Sequence, residues 1–428
     1  MYRLFRTDFF NFEALRLLSF TAHGAGEVAE FFEALGKVKE NDVTSWYSAW
    51  KEAAEKAEQL AVDAEAAGHR DAARKAYFRA ANYQRAAQFM LNGPAARDSR
   101  ILSDSEAAVS NFWKGLCVLD ASTRRIDIPY DDGLTLPGYI HLPHPSKRLP
   151  GKLPVLLNTV GGDATQEEIF YIFPQAALEL GYAVVSFEGP GQGIVLRRDN
   201  LPFRPDWEYV VGKVLDFTIA HVHATADLAE LLDVQRLAIS GSSMGGYLSL
   251  RGAADPRIRA CVAVDPFYCM WDMLKGRVPD FLLNAFVAGG FAPDGFWNGL
   301  LGMAMWASVQ TDWEMSLMRW MLGAGDMADV LRKMRLYTFA TGEGESHLAR
   351  VRCPVFVTGA RFSLYCLPEV STERIYEELV NVPEGKKVKW VAQDAGQGGL
   401  QSKVGAFGIL TQKTFAFLDD VFGIDRKL

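Results

Sequence analysis

Residues Arg236 to Tyr247 read RLAISGSSMGGY. The first five are an apolar run of the length of a buried strand, Gly241 breaks it, and the residues after Ser243 suit a helix. Strand, sharp turn and helix form the context in which Gly241-Ser242-Ser243-Met244-Gly245, a G-x-S-x-G match, reads as a nucleophile elbow. The flanking glycines remove the Cβ atoms that would block so tight a turn, which leaves the Ser243 hydroxyl exposed above a sheet edge with a helix N-terminus behind it.

The surrounding chain repeats the same alternation. RIDIPY from Arg125, an Asp-Asp-Gly turn and TLPGYIHLP predict a β-hairpin confined to an edge. LPVLLNT (153–159), YAVVSF (182–187), RACVAV (259–264), CPVFVTG (353–359) and VKWVAQ (388–393) are apolar runs expected as buried strands, and 403–422 as the closing helix. Apolar strands separated by helices predict a mostly parallel sheet covered on both faces, an α/β class fold. Residues 45–91, rich in Ala, Glu, Lys and Arg with a break at Gly68-His69, predict a helical hairpin. The second arm resembles one tetratricopeptide unit, but an array needs several copies and only one is found. The expected organisation is an N-terminal helical cap over 1–110, a core over 111–268, a helical Trp/Met-rich lid over 269–345 and the rest of the core over 346–428.

With 428 residues and 49% hydrophobic content the chain is long enough for a large core and an accessory domain. A net charge of −7 removes the electrostatic case for nucleic acid or an anionic membrane. Five cysteines, an odd number without metal spacing, read as free thiols rather than as a disulfide framework or metal site. Asp8 and Glu13 interrupt the aromatic N-terminus, which therefore reads as an amphipathic docking segment and not as a signal peptide or span. A soluble cytoplasmic protein is expected, and the aromatic N-terminus offers a docking face for a second copy, so a homodimer is left open. FEGPGQG lacks the spacing of a dinucleotide or phosphate loop, and no metal or organic cofactor is implied.

The chemistry turns on what can activate Ser243. In an α/β-hydrolase arrangement the acid and then the histidine follow the serine, and an oxyanion hole forms from the N–H after the nucleophile and one from the loop after the third strand. Met244 fills the first role, and Gly162 or Asp163, in the Gly161-Gly162-Asp163 loop, the second. The imidazole is missing: after Ser243 the sequence contains one histidine, His347, and it precedes the last two strands. Three substitutes are on offer: His347 from the end of the lid, or one of two carboxylates, Asp265 directly after a strand or Asp394 at the threshold of the last loop, with a pKa raised by burial. Each has a plainer reading, an exposed loop histidine and two turn-forming aspartates. Trp271, Trp297, Trp306, Trp313 and Met303 belong to the lid, whose adaptable surface predicts a large hydrophobic substrate; the plainer reading is that they form the lid's own core.

The combination of FEGPGQG at 187–193, Asp206-Trp207-Glu208, the SGSSMGG elbow and an N-terminal helical cap resembles the cap-bearing α/β-hydrolases related to the fermentation-respiration switch protein and the pseudooxynicotine hydrolases. It is most similar to their fungal branch in polyketide and polyketide–amino-acid pathways, the fusarin-type hydrolases included. The resemblance implies an α/β-hydrolase fold with cap and lid, and an enzyme of secondary metabolism that closes a pyrrolidinone or pyrrolinone ring. Two departures stand out. Relatives carry the acid in a G-A-x-D turn where this chain has Gly359-Ala360-Arg361-Phe362, and the histidine in a G-x-H context where it has 396–401, GQGGLQ.

Losing the histidine of a triad costs on the order of 10⁶ in turnover, so hydrolysis by the inherited route is not expected. The preferred expectation is promoted ring closure or condensation of a large hydrophobic carbonyl compound, with Ser243 as hydrogen-bond donor. The alternatives are a serine hydrolase with an unconventional base, cleaving an ester, lactone or C–C bond, and a non-catalytic carrier of a pathway intermediate.

Overall fold

All six apolar runs become adjacent strands of one sheet. In a computed structural model, which describes residues 2–426 except 92, 95, 96, 290, 291 and 343, eight strands lie in the order β1-β2-β4-β3-β5-β6-β7-β8. They are β1 (Ser122–Pro129), β2 (Thr135–Leu142), β3 (Leu153–Thr159), β4 (Ala183–Phe187), β5 (Leu232–Ser242), β6 (Ile258–Val264), β7 (Val355–Ala360) and β8 (Lys387–Ala392). The β1–β2 hairpin is antiparallel to its neighbour β4, and every later pair is parallel. β3, β4 and the last six residues of β5 are buried throughout, which is why they read as nearly unbroken apolar runs. Because β3 has β4 on one side and β5 on the other, the chain's winding reverses between β3 and β5. A crevice opens at such a point beyond the carboxyl ends of the strands, and the Ser243 turn sits there.

Five helices precede the sheet: α1 (Asp8–Ser19), α2 (Val28–Leu35), α3 (Val43–Ala66), α4 (Arg70–Phe89) and α5 (Ser99–Cys117). Gly68, at φ 72°, makes the turn between α3 and α4 that an L side chain disfavours. Phe9, Phe10, Ala14 and Leu17 of α1 are buried against Trp46, Trp50 and Trp313 of the same chain. This aromatic face of α1 is buried within the same chain.

Between β6 and β7 the chain runs through four helices, Asp280–Ala288, Asp294–Ala307, Val309–Met321 and Met327–Met334. A bridge between Cys269 and Thr338 clasps the two ends of this insertion. Its third helix is tied to the N-terminal helices, since the Trp313 indole N–H donates to the Phe89 carbonyl at 2.7 Å. The closing helix starts at Phe407, four residues later than its pattern suggests. Ser402 and Lys403 have φ of 57° and 59°, which no helix accommodates. Among the described residues no helix is long and apolar enough to cross a membrane. Of the five thiols, none of them in a disulfide, Cys261 and Cys353 are buried and Cys117 is exposed.

α1 is also fastened by charge. Arg16 pairs bidentately with Glu168 at 2.6 and 2.7 Å, donates to Asp163 at 2.8 Å and reaches Glu13 at 3.3 Å. The other oxygen of Glu13 is buried without a partner. Burial, with help from the Asp163 and Glu168 charges, outweighs Arg16 and Arg85 and lifts the Glu13 pKa to about 7. The folded protein therefore holds a proton on Glu13 that the unfolded chain releases near pH 4.5. Its stabilising effect is complete below that pH and is lost as pH rises through about 7. Glu13→Gln is expected to match the parent's melting temperature at pH 4.5 and exceed it at pH 8, as read by thermal unfolding across that range.

Candidate active site

Ser243 has φ 56° and ψ −121°, with its N–H donating to the Val264 carbonyl on β6 at 2.8 Å. Two glycines make that conformation possible. A Cβ on Gly241 would lie 2.2 Å from the Gly245 carbonyl oxygen, and one on Gly245 would lie 2.9 Å from that of Thr159. The helix Met244–Gly252 starts at the next residue, so the Met244 N–H has no carbonyl four residues back to receive it. Across the crevice, no backbone carbonyl among the described residues accepts from the N–H of Gly162 or Asp163. Both stand beside the serine, and Gly162, Asp163, Ser243 and Met244 line a single cleft of about 80 Å³.

The cleft's remaining wall comes from the lid and from the loop after β7. Phe267, Met270, Met318 and Met321 make it apolar, while Glu314 and Tyr365 supply the polar points opposite Ser243. Glu314 is buried, accepting from Arg277 at 2.7 Å and from Gln310 at 2.8 Å. Tyr365 is held by its backbone, its N–H and that of Cys366 donating to the Ser363 hydroxyl at 3.1 and 2.9 Å. Ser363 in turn donates to Gln401, and Gln401 donates to the Asp265 carbonyl at 3.0 Å. Among the described residues none hydrogen-bonds the Tyr365 hydroxyl. Burial, reinforced by the charges of Glu314, Glu13 and Asp163, pushes its pKa well above the ordinary phenol value, so it is a proton donor at neutral pH.

None of the three candidate bases hydrogen-bonds Ser243 among the described residues. His347 is buried with Nε2 donating to the Arg251 carbonyl at 3.1 Å and Nδ1 3.9 Å from Glu208. Arg251 is eight residues along the elbow helix, roughly 12 Å from the serine at 1.5 Å per residue. Burial, together with the Arg251 charge, lowers the His347 pKa to about 4, so it is a neutral helix-end anchor rather than an exposed loop group. Asp394 is solvent-exposed, its carbonyl closing the turn at Gln397 and Gly399. Asp265, buried at φ 47°, accepts from the Thr358 hydroxyl at 2.6 Å and pairs with the Lys403 ammonium at 2.8 Å. Both contacts fall on Oδ1, and Oδ2 is buried without a partner among the described residues.

Lys403 is 0% exposed. It also donates to the Gly359 carbonyl at 2.8 Å and lies 4.7 Å from the centre of the Trp390 ring. Burial lowers its pKa although Asp265 opposes the shift. This pair occupies the ground between the loops after β6, β7 and β8 from which an acid and an imidazole would serve the serine. Lys403 and Tyr365 carry no motif. The usable signal for Lys403 was a lone cation after the last strand facing a lone aspartate after β6, and for Tyr365 an aromatic just past the turn that lacks its acid.

Of the lid residues singled out in the sequence, Trp313 alone borders the cleft. Trp306 is 90% and Met303 64% exposed on the outer face of the helix Asp294–Ala307. Trp297 is buried in the lid with its edge to Phe286, and Trp271 stacks on the same ring. The apolar walls come instead from methionines on the inward faces of the 270–274 turn and the Val309–Met321 helix. A Trp/Met tally cannot separate those faces.

A family model described as the alpha/beta hydrolase family matches residues 155–402, and the chain is 49% identical over its whole length to an alpha/beta hydrolase, psoB, of Aspergillus fumigatus, covering 96% of that protein. The chain belongs to the alpha/beta hydrolase family. It is an enzyme of that superfamily, and full-length fungal relatives include the 20-hydroxy-prefusarin hydrolase FUS2 of Gibberella moniliformis, 42% identical with 100% of both chains covered. Among solved structures, a 2,6-dihydroxy-pseudo-oxynicotine hydrolase superposes with a TM-score of 0.70 over 97% of both chains at 19% identity, a likeness of fold.

In this alpha/beta hydrolase, Lys403→Met is expected to strand the Asp265 carboxylate in the interior and lower stability by about 3–5 kcal/mol. Asp265→Asn combined with Lys403→Met is expected to recover most of that loss in urea denaturation, because the uncompensated charge is then gone.

Proposed function

We propose that this enzyme promotes an intramolecular ring closure on a large hydrophobic carbonyl compound, of the polyketide or polyketide–amino-acid kind, rather than simple hydrolysis. One observation carries the reading: Ser243 keeps its strained elbow and free N–H donors, yet no imidazole or carboxylate among the described residues hydrogen-bonds its hydroxyl. The printed name of the fusarin relative, a hydrolase of 20-hydroxy-prefusarin, supports the substrate class.

The proposed chemistry uses what the cleft contains. An aldehyde oxygen rests against the N–H groups of Met244 and Gly162 or Asp163, and the flexible remainder folds beneath the lid. An acidic C–H between two carbonyls of the same substrate gives its proton to a solvent water molecule, and the resulting enolate carbon adds to the aldehyde carbon. The C=O π pair moves onto oxygen, which takes a proton through the hydroxyls of Ser243 and Tyr365. Loss of one water then gives the unsaturated ring. Proximity contributes most of the rate in such a step, up to about 7–11 kcal/mol of barrier, and the oxyanion donors contribute a few kcal/mol each. No strong base is required.

The test pairs a linear amino-acid-capped polyketide aldehyde with a serine-directed fluorophosphonate. Cyclised product with one water lost and slow labelling at Ser243 are expected. As a donor rather than an acyl carrier, Ser243 replaced by Ala is expected to lower turnover roughly 10²–10³-fold, against the roughly 10⁶-fold loss of a nucleophile. Tyr365→Phe is expected to lower kcat about 10²-fold with the melting temperature unchanged. Rapid labelling without cyclised product, or steady release of a carboxylic acid abolished by Ser243→Ala, would overturn the reading and establish a serine hydrolase.

A further inference from the structure

The cleft that Ser243 borders has carboxylates of its own. Among the described residues two line it, Asp163 and Glu314. Burial opposes ionisation of Asp163, but the Arg16 guanidinium at 2.8 Å outweighs it and holds the carboxyl below its ordinary pKa. A carboxylate stabilised in that way takes up a proton poorly.

Glu314 is held differently. Its Oε2 accepts from Arg277 at 2.7 Å and its Oε1 from Gln310 at 2.8 Å, one bond on each oxygen. A carboxylate offers about four acceptor directions, so about two remain. Gln310 lies one turn earlier on the same helix, and Arg277 lies in the segment that leads into the helix Asp280–Ala288. The preceding residue, Trp313, is fixed to the Phe89 carbonyl and wedged against Phe9 and Phe89. The carboxylate is thus presented from a turn anchored on both sides.

Its place relative to the other polar groups is what base catalysis needs. The Met244 N–H and the 161–163 loop, where charge develops on a carbonyl oxygen, belong to the core, whereas Glu314 belongs to the lid across the cleft. Of the charges acting on the Tyr365 hydroxyl, that of Glu314 is the strongest, although no hydrogen bond joins the two among the described residues. The cleft, at about 80 Å³, has room for several water molecules between them, since one needs about 10–15 Å³.

We propose that Glu314 is the catalytic base of the ring closure, receiving through one water molecule the proton that leaves the carbon between the two carbonyls. The proposal rests on the ring-closing reading of the cleft and supplies the acceptor that the core lacks. The electron pair of the C–H bond stays on carbon as the enolate and forms the new C–C bond. The aldehyde π pair goes to oxygen, which takes the proton relayed by the hydroxyls of Ser243 and Tyr365. Glu314 then returns its proton to those hydroxyls through the same water. The cyclic alcohol is an isomer of the open chain, and every side chain ends as it began. General base catalysis of this kind contributes roughly 10²–10⁴-fold.

3-Oxodecanamide isolates the proton step. It has a CH₂ between two carbonyls and a flexible apolar chain but no aldehyde, so it can exchange those protons in D₂O and cannot close a ring. The parent enzyme is expected to speed that exchange roughly 10²-fold or more over buffer, read from the proton NMR signal of the CH₂. Glu314→Gln keeps the side chain's length and an oxygen for Arg277. It is expected to bring exchange close to the buffer rate while still unfolding cooperatively on heating. Glu314→Asp is expected to restore about tenfold over Glu314→Gln, because a carboxylate is back in the cleft. With the linear aldehyde substrate, Glu314→Gln is expected to lower kcat roughly 10²–10³-fold and leave KM within about threefold. Exchange by Glu314→Gln at the parent's rate would overturn the proposal. So would a parent enzyme that closes the ring yet leaves 3-oxodecanamide at the buffer rate, a result that needs no variant to fold. Exchange that depends on Glu314 in an enzyme that never cyclises the aldehyde would instead overturn the ring-closure reading and leave Glu314 as the proton acceptor.

Discussion

Ser243 is held in a backbone conformation that residues with side chains seldom adopt, and the sheet around it is what keeps it there. Such a conformation costs about 1–3 kcal/mol on its own. The hydrogen bond from its N–H to the Val264 carbonyl offsets part of this, and Gly241 and Gly245 let β3, β5 and the elbow helix approach without a clash. With the turn fixed, the Met244 N–H and the loop after β3 are brought to one side of the hydroxyl. The lid and α1 then close over that point from opposite sides.

A sheet of this type usually delivers an acid and an imidazole to the serine from the loops after its last strands. Here the same loops are knitted to one another. Lys403 satisfies Asp265 and the Gly359 carbonyl together, and Gln401 joins Ser363 to the Asp265 backbone. Asp265 Oδ1, the Gly359 carbonyl and the Gln401 amide are thereby engaged, while Asp265 Oδ2 stays buried without a partner among the described residues. The departure is a rebuilt interior with its own ion pair, Lys403 with Asp265. The same knitting carries Tyr365 to the cleft, since Ser363 receives the Tyr365 N–H. What the site lost as a base and what it gained as a proton donor come from one network.

The sheet and the elbow were legible in the sequence because buried parallel strands are short apolar runs and because a G-x-S-x-G turn leaves its glycines in the text. The helical hairpin was legible for a similar local reason, a run of good helix formers broken at Gly68. The site was legible on the sides built from neighbouring residues, 161–163 and 243–244. Its other walls depend on contacts between distant segments that no local pattern records. Arg16 looks like one more charge in an amphipathic segment until Glu168 and Asp163 are folded against it. Lys403 reads as the first solvated residue of a helix until two left-handed residues turn it inward. Trp306 and Trp313 are equivalent in composition and seven residues apart, yet one faces solvent and the other the cleft.

Trp313 has one further consequence. Its indole belongs to the lid, forms part of the roof over the cleft, and is wedged against Phe9 and Phe89 at 5.1 and 4.7 Å while its N–H is fixed to the Phe89 carbonyl. The lid is consequently no free flap hinged at 269 and 338. To lift, it must either withdraw an aromatic peg from its socket among the amino-terminal helices or carry those helices along. The roof over the cleft is thus held jointly by the insertion and by Phe9 and Phe89, although the reactive serine is encoded far downstream.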